Sequence, residues 1–242
     1  MDFNGIISRI RKDLDQNLDL TYKRQNQKFF KEKIKCRGIR TPIVRKIARK
    51  HFKNIKYLQK EEQIKLIEKL FKSGYNEEAT IAIQWTAGIL ERFKAKEISL
   101  FEDWLNQYID NWAKDDDFCS KVIHPMLKQY PKLNKRIKSW TDSGNLWTRR
   151  AAAVSFISHS REFYSKRQNL KDIFEIAQKL LKDKEDLVQK GYGWMLKSAY
   201  YYKPGQVFRF ILENKKDMPR TALRYAIEKM PPRLKQEAMG KD

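Results

Sequence analysis

The chain has 242 residues, of which 41% are hydrophobic, so it is long enough to bury a core and is not a disordered basic tail. Its 52 lysines and arginines exceed its 30 aspartates and glutamates by 22, which favours a polyanionic partner, nucleic acid before an anionic membrane surface. A lysine-rich proteome that implies no such partner is the alternative.

Helical spacing of apolar residues runs through nearly the whole chain. It begins with Ile6, Ile10 and Leu14 in a first amphipathic helix, and a second helix is predicted over residues 22–34. The stretch CRGIRTP interrupts the pattern, and Thr41 followed by proline predicts a helix start with Thr41 as its N-cap. Further helices are predicted over residues 60–71, 77–93, 99–111, 117–128, 132–139, 146–158, 170–181, 186–202, 206–214 and 220–230.

Five of these helices mix small and large apolar residues, which is typical of helices buried on more than one side. One buried-type residue taken from each of the five helices as a marker lies 30 or 40 residues from the next, which is the length of a helix-pair repeat. We therefore expect an all-α fold, an α-solenoid of HEAT-like helix pairs with a basic concave face that binds DNA, formed by one domain over residues 1–242. An irregular helical bundle is the alternative. The markers are Ala82, Val122, Ala152, Tyr192 and Ala222.

Several common catalytic and targeting signals are absent from the sequence. There is no HExxH, no P-loop and no glycine-rich dinucleotide motif, and the three histidines are scattered. We expect no metal and no cofactor. The separate cysteines Cys36 and Cys119, the absence of a secretory pattern and the lack of a membrane-length apolar run predict a cytoplasmic protein.

Three local features could carry chemistry. In NWAKDDD, Trp112 and Asp116 stand four residues apart and would share one helix face. In LWTRRAAA, Arg149 and Arg150 begin a small-residue helix, from which an arginine could reach a partner. In QKGYGWML, two glycines inside a helical pattern indicate close approach by another helix or a ligand. Singly, each has a plainer explanation: acids that cap a helix starting near Asp117, tryptophans in the core, and solvated or paired arginines.

Together these segments resemble the AlkD-like DNA alkylation repair family, whose members are HEAT-like-repeat DNA glycosylases. GIRTP resembles the family's Gly-Ile/Val-x-Thr-Pro signature, and NWAKDDD its Asn-Trp…Asp segment, whose catalytic aspartate falls on Asp116. NLWTRRAA resembles the segment of the active-site arginine, here Arg150, and QKGYGWML the segment of the second active-site tryptophan, here Trp194. The resemblance spans residues 22–230.

The resemblance implies a monofunctional glycosylase that hydrolyses the N-glycosidic bond of alkylated, positively charged purines in duplex DNA. It assigns catalytic roles to Asp116, Trp112, Trp194 and Arg150. Asp116 would stabilise the cationic sugar of the transition state, the indoles would contact the sugar, and Arg150 would hold a phosphate. The residues expected to bind DNA are Arg149, Lys190, Lys197, Phe29, Thr41 and Arg45. We expect a monomer that associates with the nucleoid when bound to DNA.

The sequence also departs from the family pattern. Ala113 stands where members often have aspartate, and a shift of one residue would give the catalytic role to Asp117. Phe29, nine residues before the glycine of GIRTP, lacks the hydroxyl of the tyrosine found in some members. Two other functions remain open: a non-catalytic helical-repeat protein that binds nucleic acid, and a protein-binding scaffold.

Overall fold

The computed structural model describes residues 2–240, apart from the side chains of Arg167 and Gln168. Within that range the chain is helical and contains no strand, which confirms the predicted all-α class. The helices are α1 (Phe3–Asp15), α2 (Leu20–Gln27), α3 (Thr41–Ile55), α4 (Lys60–Lys72), α5 (Asn76–Gly88), α6 (Ile98–Tyr108), α7 (Trp112–Phe118), α8 (His124–Gln129), α9 (Asn134–Ser139), α10 (Leu146–Val154), α11 (Arg161–Ser165), α12 (Arg167–Lys179), α13 (Asp186–Tyr200), α14 (Pro204–Asn214), α15 (Arg220–Ile227) and α16 (Pro232–Met239).

Several helix ends differ from the sequence-based bounds. The helix predicted over 117–128 starts earlier, at Trp112, and passes through a π-helical turn, Cys119–Ile123, into α8. Thr41 is not the N-cap of α3: Arg40 occupies that position without a side-chain cap, and Thr41 lies in the first helical turn. The helices α11 and α16 are short and were not predicted, because one and a half to two turns give too little periodicity to detect.

The second predicted helix, 22–34, ends at Gln27, and a loop leads from there to α3. Gly38 adopts a φ of +95° in this loop, and a Cβ there would lie 2.8 Å from the carbonyl oxygen of Asp19. The buried carboxylate of Glu77 accepts hydrogen bonds from the backbone N–H groups of Arg37, Gly38 and Ile39. The GIRTP stretch is therefore a loop that a buried acid holds in place.

The described part of the chain divides into two compact units at Val122. In the first unit, α3, α5 and α7 pack side by side, and α4 packs behind α5. An aromatic cluster fills the space around α4, α6 and α7, where the rings of Phe71, Phe101, Trp104 and Phe118 contact one another. This core fixes the orientation of α7, whose side chain Phe118 is fully buried.

In the second unit, α10, α13 and α15 pack side by side, and α12 and α14 pack against α13. Gly193 makes the closest of these contacts possible, because a Cβ there would lie 2.7 Å from the carbonyl oxygen of Ala222 on α15. The five marker residues of the predicted repeat are all completely buried. Within each unit the helices thus stack as pairs, as in an α-solenoid. The single domain over residues 1–242 stays a prediction.

Candidate functional site

Helix α7 begins with a well-formed cap. The Asn111 side-chain oxygen accepts hydrogen bonds from the N–H groups of Ala113 (3.1 Å) and Lys114 (3.2 Å). Its amide nitrogen donates to Asn76 (2.9 Å) and Asp110 (2.7 Å). The three aspartates therefore do not cap a helix that starts at Asp117, since the helix starts earlier and asparagine provides its cap.

Trp112, the first residue of α7, is half-buried and held on two sides. Its ring stacks on Phe30, with centroids 5.1 Å apart and planes 18° from parallel. Its indole N–H donates to the carbonyl oxygen of Phe29 at 3.3 Å. Phe29 itself projects outward, with 73% of its surface exposed. The loop before GIRTP thus fixes the orientation of this tryptophan.

The three aspartates of α7 have different surroundings. Asp115 is completely buried. Asp117, with 16% of its side chain exposed, pairs with Arg45 of α3 at 3.1 Å and lies 4.0 Å from Lys121. Burial raises the pKa of Asp117, although Arg45, Lys121 and Gln84 oppose that shift.

Asp116 is half-buried and follows Trp112 by four residues in the same helix. Residues at this spacing lie about 40° apart around the helix axis, whereas Asp117 lies about 140° from Trp112. Asp115, about 60° from Trp112, is buried, so Asp116 is the partly exposed aspartate on the side of α7 that carries the tryptophan. Asp117 faces α3.

In the second unit, Arg150 is not extended into solvent. The residue is 4% exposed, and its Nη1 donates to the carbonyl oxygen of Leu187 on α13. Gly191 leaves room for it, since a Cβ there would lie 3.3 Å from Arg150 Cγ. Trp194, on the same helix as Gly191, is half-buried. The two glycines of QKGYGWML thus accommodate an arginine and a neighbouring helix.

The cations predicted to bind DNA all have acidic partners. Arg45 pairs with Asp117, and Arg149 bonds to Asp183 at 2.7 Å and to the carbonyl oxygen of Ser143 at 2.9 Å. The remaining pairs are Lys190 with Asp186 (3.3 Å) and Lys197 with Glu228 (2.7 Å). Thr41 and Phe29 are exposed. Three of these pairs link different segments and the Lys190 pair lies within α13, and contact of the four cations with DNA stays a prediction.

The predicted site residues fall into two groups along the chain. Phe29, Thr41, Arg45, Trp112 and Asp116 lie in the first unit, where contacts join Trp112 to the loop of Phe29 and Arg45 to α7. The second unit contains the remaining residues, of which Arg150 and Trp194 lie on the neighbouring helices α10 and α13. That the two groups converge on one patch stays a prediction.

The model of the family described as DNA alkylation repair enzyme matches residues 10–230 of this chain. The chain belongs to this DNA alkylation repair family. Its fold is similar to that of a predicted DNA alkylation repair enzyme from Enterococcus faecalis, with a TM-score of 0.79 and 18% sequence identity. The match covers 89% of this chain and 98% of that one. None of the curated proteins compared with the sequence matches it.

Membership of the DNA alkylation repair family implies a DNA substrate. No helix among residues 2–240 has the length and apolar character required to cross a membrane. In the same range, no three histidine, cysteine or acidic side chains are grouped as a metal site would require. Cys36 and Cys119 are buried and are not joined in a disulfide.

Two residues that position Trp112 in this family member, Asn111 and Phe30, were not identified from the sequence. Asn111 carried a usable signal, because asparagine directly before a helical run is a common N-cap. Phe30 carried none, because the predicted helix 22–34 would place it on a helix face rather than under Trp112. Only the loop conformation shows that the second ring of the Phe-Phe pair turns inward, with 9% exposure.

Proposed function

We propose that this member of the DNA alkylation repair family is a monofunctional DNA glycosylase that excises alkylated, positively charged purines of the 3-methyladenine and 7-methylguanine type. The observation that carries the proposal is the division of the aspartates on α7. Asp115 is buried and Asp117 pairs with Arg45, whereas Asp116 lies on the side of Trp112.

The chemistry requires one carboxylate and no strong acid. Alkylation at N3 or N7 gives the purine a positive charge, so the base leaves without being protonated. As the glycosidic bond breaks, positive charge develops on the deoxyribose, and a fixed carboxylate beside the sugar stabilises it. Asp116 takes this role and orients the attacking water, which adds to the sugar carbon and gives a proton to solvent.

The two tryptophans and the arginine support this step. The indole faces of Trp112 and Trp194 contact the sugar, and an indole face near a cation contributes about 0.5–2 kcal/mol. Phe30 covers one face of Trp112, so the substrate would meet the other face. Arg150 holds a backbone phosphate, for which its side chain, only 4% exposed and bonded through Nη1 to the carbonyl oxygen of Leu187, has to become accessible to DNA.

The decisive experiment measures release of 7-methylguanine from methylated duplex DNA by chromatography, with DNA affinity measured in parallel. We expect Asp116→Asn to lose base release, by a factor of about 10²–10³ for a lost electrostatic stabiliser, while DNA affinity is retained. Asp117→Asn, the adjacent carboxylate, is the matched control and keeps most of the activity.

Equal activity of wild type and Asp116→Asn would show that the catalytic assignment is wrong. If wild type binds duplex DNA in a salt-dependent manner but releases no base, the protein is the non-catalytic nucleic-acid-binding alternative. Loss of activity in Asp117→Asn alone would move the role by one residue, to Asp117.

A further inference from the structure

A cavity of about 610 Å³ opens in the second unit between α11, α12 and α14. None of the residues assigned above to base excision lines it. Arg150 and Trp194 lie on α10 and α13, whereas the cavity lies on the helices that pack behind this pair. Its volume is in the range of small-molecule sites, about 300–1,000 Å³, so it suits one compact ligand.

The floor of the cavity is aromatic. Phe174 of α12 and Phe210 of α14 stack with centroids 4.7 Å apart and planes 5° from parallel. Phe210 is buried, whereas Phe174 is half-buried, and both line the cavity. Leu170 adds aliphatic surface next to them. A flat aromatic ligand could therefore contact Phe174 and extend the existing stack.

The rim of the cavity is cationic. Lys166, Lys171 and Lys203 come from three separate segments, and the acid described in the lining is Glu175. The carboxylate of Glu175 lies 2.5 Å from Lys138 and 3.7 Å from Lys171, and Lys166 lies 3.6 Å from Glu162, so a phosphate would compete with these acids for two of the three lysines. The exposed amides of Gln178 and Gln206 add hydrogen-bond donors and acceptors.

We propose that this cavity binds a nucleoside phosphate, with its base against Phe174 and its phosphate among the three lysines. An aromatic floor that accepts a base and a lysine rim that accepts a phosphate are the two features that single-strand nucleic-acid sites combine. The amides match the polar edge of a base. The same chemistry is offered by a free nucleotide and by an unpaired nucleotide in a DNA strand.

The test is photocrosslinking of the full-length protein to a single-stranded oligo(dT) that contains one 5-iododeoxyuridine, because this base crosslinks to aromatic side chains that it contacts. Mass spectrometry then locates the crosslink. We expect it in the segment around Phe174, and we expect the double variant Lys171→Glu, Lys203→Glu to lose it. The charge-matched control carries Lys132→Glu and Lys184→Glu, at two exposed lysines of the same unit outside the lining, and retains the crosslink.

Competition with thymidine monophosphate distinguishes the two sources. Suppression of the crosslink by the monophosphate identifies a free-nucleotide site, and persistence against it identifies a single-strand site. The proposal is overturned if crosslinks map only outside the cavity, or if the double variant crosslinks as wild type does. It is also overturned if an acidic peptide displaces the oligonucleotide from Phe174 more effectively than unlabelled oligo(dT) does. Base release by the double variant should match wild type, so this test does not depend on the proposed glycosylase activity.

Discussion

Asp117 is subject to opposing influences, and these give it a pH-dependent effect on stability. Burial raises its pKa in the folded protein, while Arg45 and Lys121 act in the other direction. Because the pKa of Asp117 is higher in the folded than in the unfolded protein, protonated Asp117 stabilises the fold. This stabilisation is complete at pH values below the unfolded pKa, about 3.9, and is lost as the pH rises through the folded pKa. Above this window the carboxylate is ionised at a partly desolvated position.

The Asp117→Asn variant tests this assignment, because asparagine resembles the protonated acid. We expect the free energy of unfolding of the variant, relative to wild type, to increase as the pH rises from 4 to 7. Urea unfolding at several pH values measures it, and Asp103→Asn, at an exposed aspartate of helix α6, is the control. If the free energy of unfolding of Asp117→Asn relative to wild type instead falls as the pH rises, the ion pair with Arg45 outweighs burial.

At the scale of the helix, the start of α7 decides where the proposed catalytic side chains Trp112 and Asp116 point. Asn111 caps two N–H groups through its oxygen and contacts Asn76 and Asp110 through its nitrogen. Asn111→Ala should lower the free energy of unfolding by about 1–2 kcal/mol, as the loss of a cap does. It should also lower base release, because Trp112 is the first residue after the cap.

Asn111→Ser separates the two functions of this side chain. Serine can cap the helix but lacks the amide donors, so we expect it to recover a large part of the stability lost in Asn111→Ala. Urea unfolding and chromatographic measurement of base release give both quantities. Equal stability of the alanine and serine variants would show that the amide contacts with Asn76 and Asp110, rather than the cap, hold the helix.

Close helix packing in the second unit depends on Gly193. A Cβ there would lie 2.7 Å from the carbonyl oxygen of Ala222 and from Tyr225 Cβ, so α15 would have to move. We expect Gly193→Ala to cost about 1–3 kcal/mol, as overpacking does, measured by urea unfolding. Gly205→Ala is the matched control, because nothing lies within 4 Å of its added Cβ, and it should not destabilise the protein. Equal effects of the two substitutions would contradict this account.

The sequence predicts the all-α class and most of the helices, because helical periodicity and small residues at contact positions are local signals. The buried markers Ala82 and Ala222 illustrate this. The loop between α2 and α3 could not be predicted, since its conformation depends on distant partners. Glu77 holds its backbone from α5, and Phe30 turns inward under Trp112.

The candidate site shows the same division between local and distant information. The spacing of Trp112 and Asp116 is sufficient to place them on one helix face once α7 is helical. The burial of Arg150 could not be predicted, because it depends on Gly191 and Leu187 of another helix. Three of the four remaining predicted cations likewise pair with acids of distant segments, which no short motif records. The fourth pairs within its own helix.

At the scale of the whole molecule, the proposed reaction requires residues that are far apart in the chain to act in one step. Asp116 belongs to the first unit and Trp194 to the second. Groups that stabilise the same transition state have non-additive effects on rate, whereas groups at independent sites have additive ones.

We expect Asp116→Asn and Trp194→Phe each to lower kcat for base release, and the double variant to lose less than the product of the two factors. Single-turnover release of 7-methylguanine at saturating protein measures all three rates without a contribution from product release. A multiplicative loss would mean that Trp194 contributes independently of the sugar charge that Asp116 stabilises, and an unchanged rate in Trp194→Phe would remove the second unit's tryptophan from the proposed mechanism.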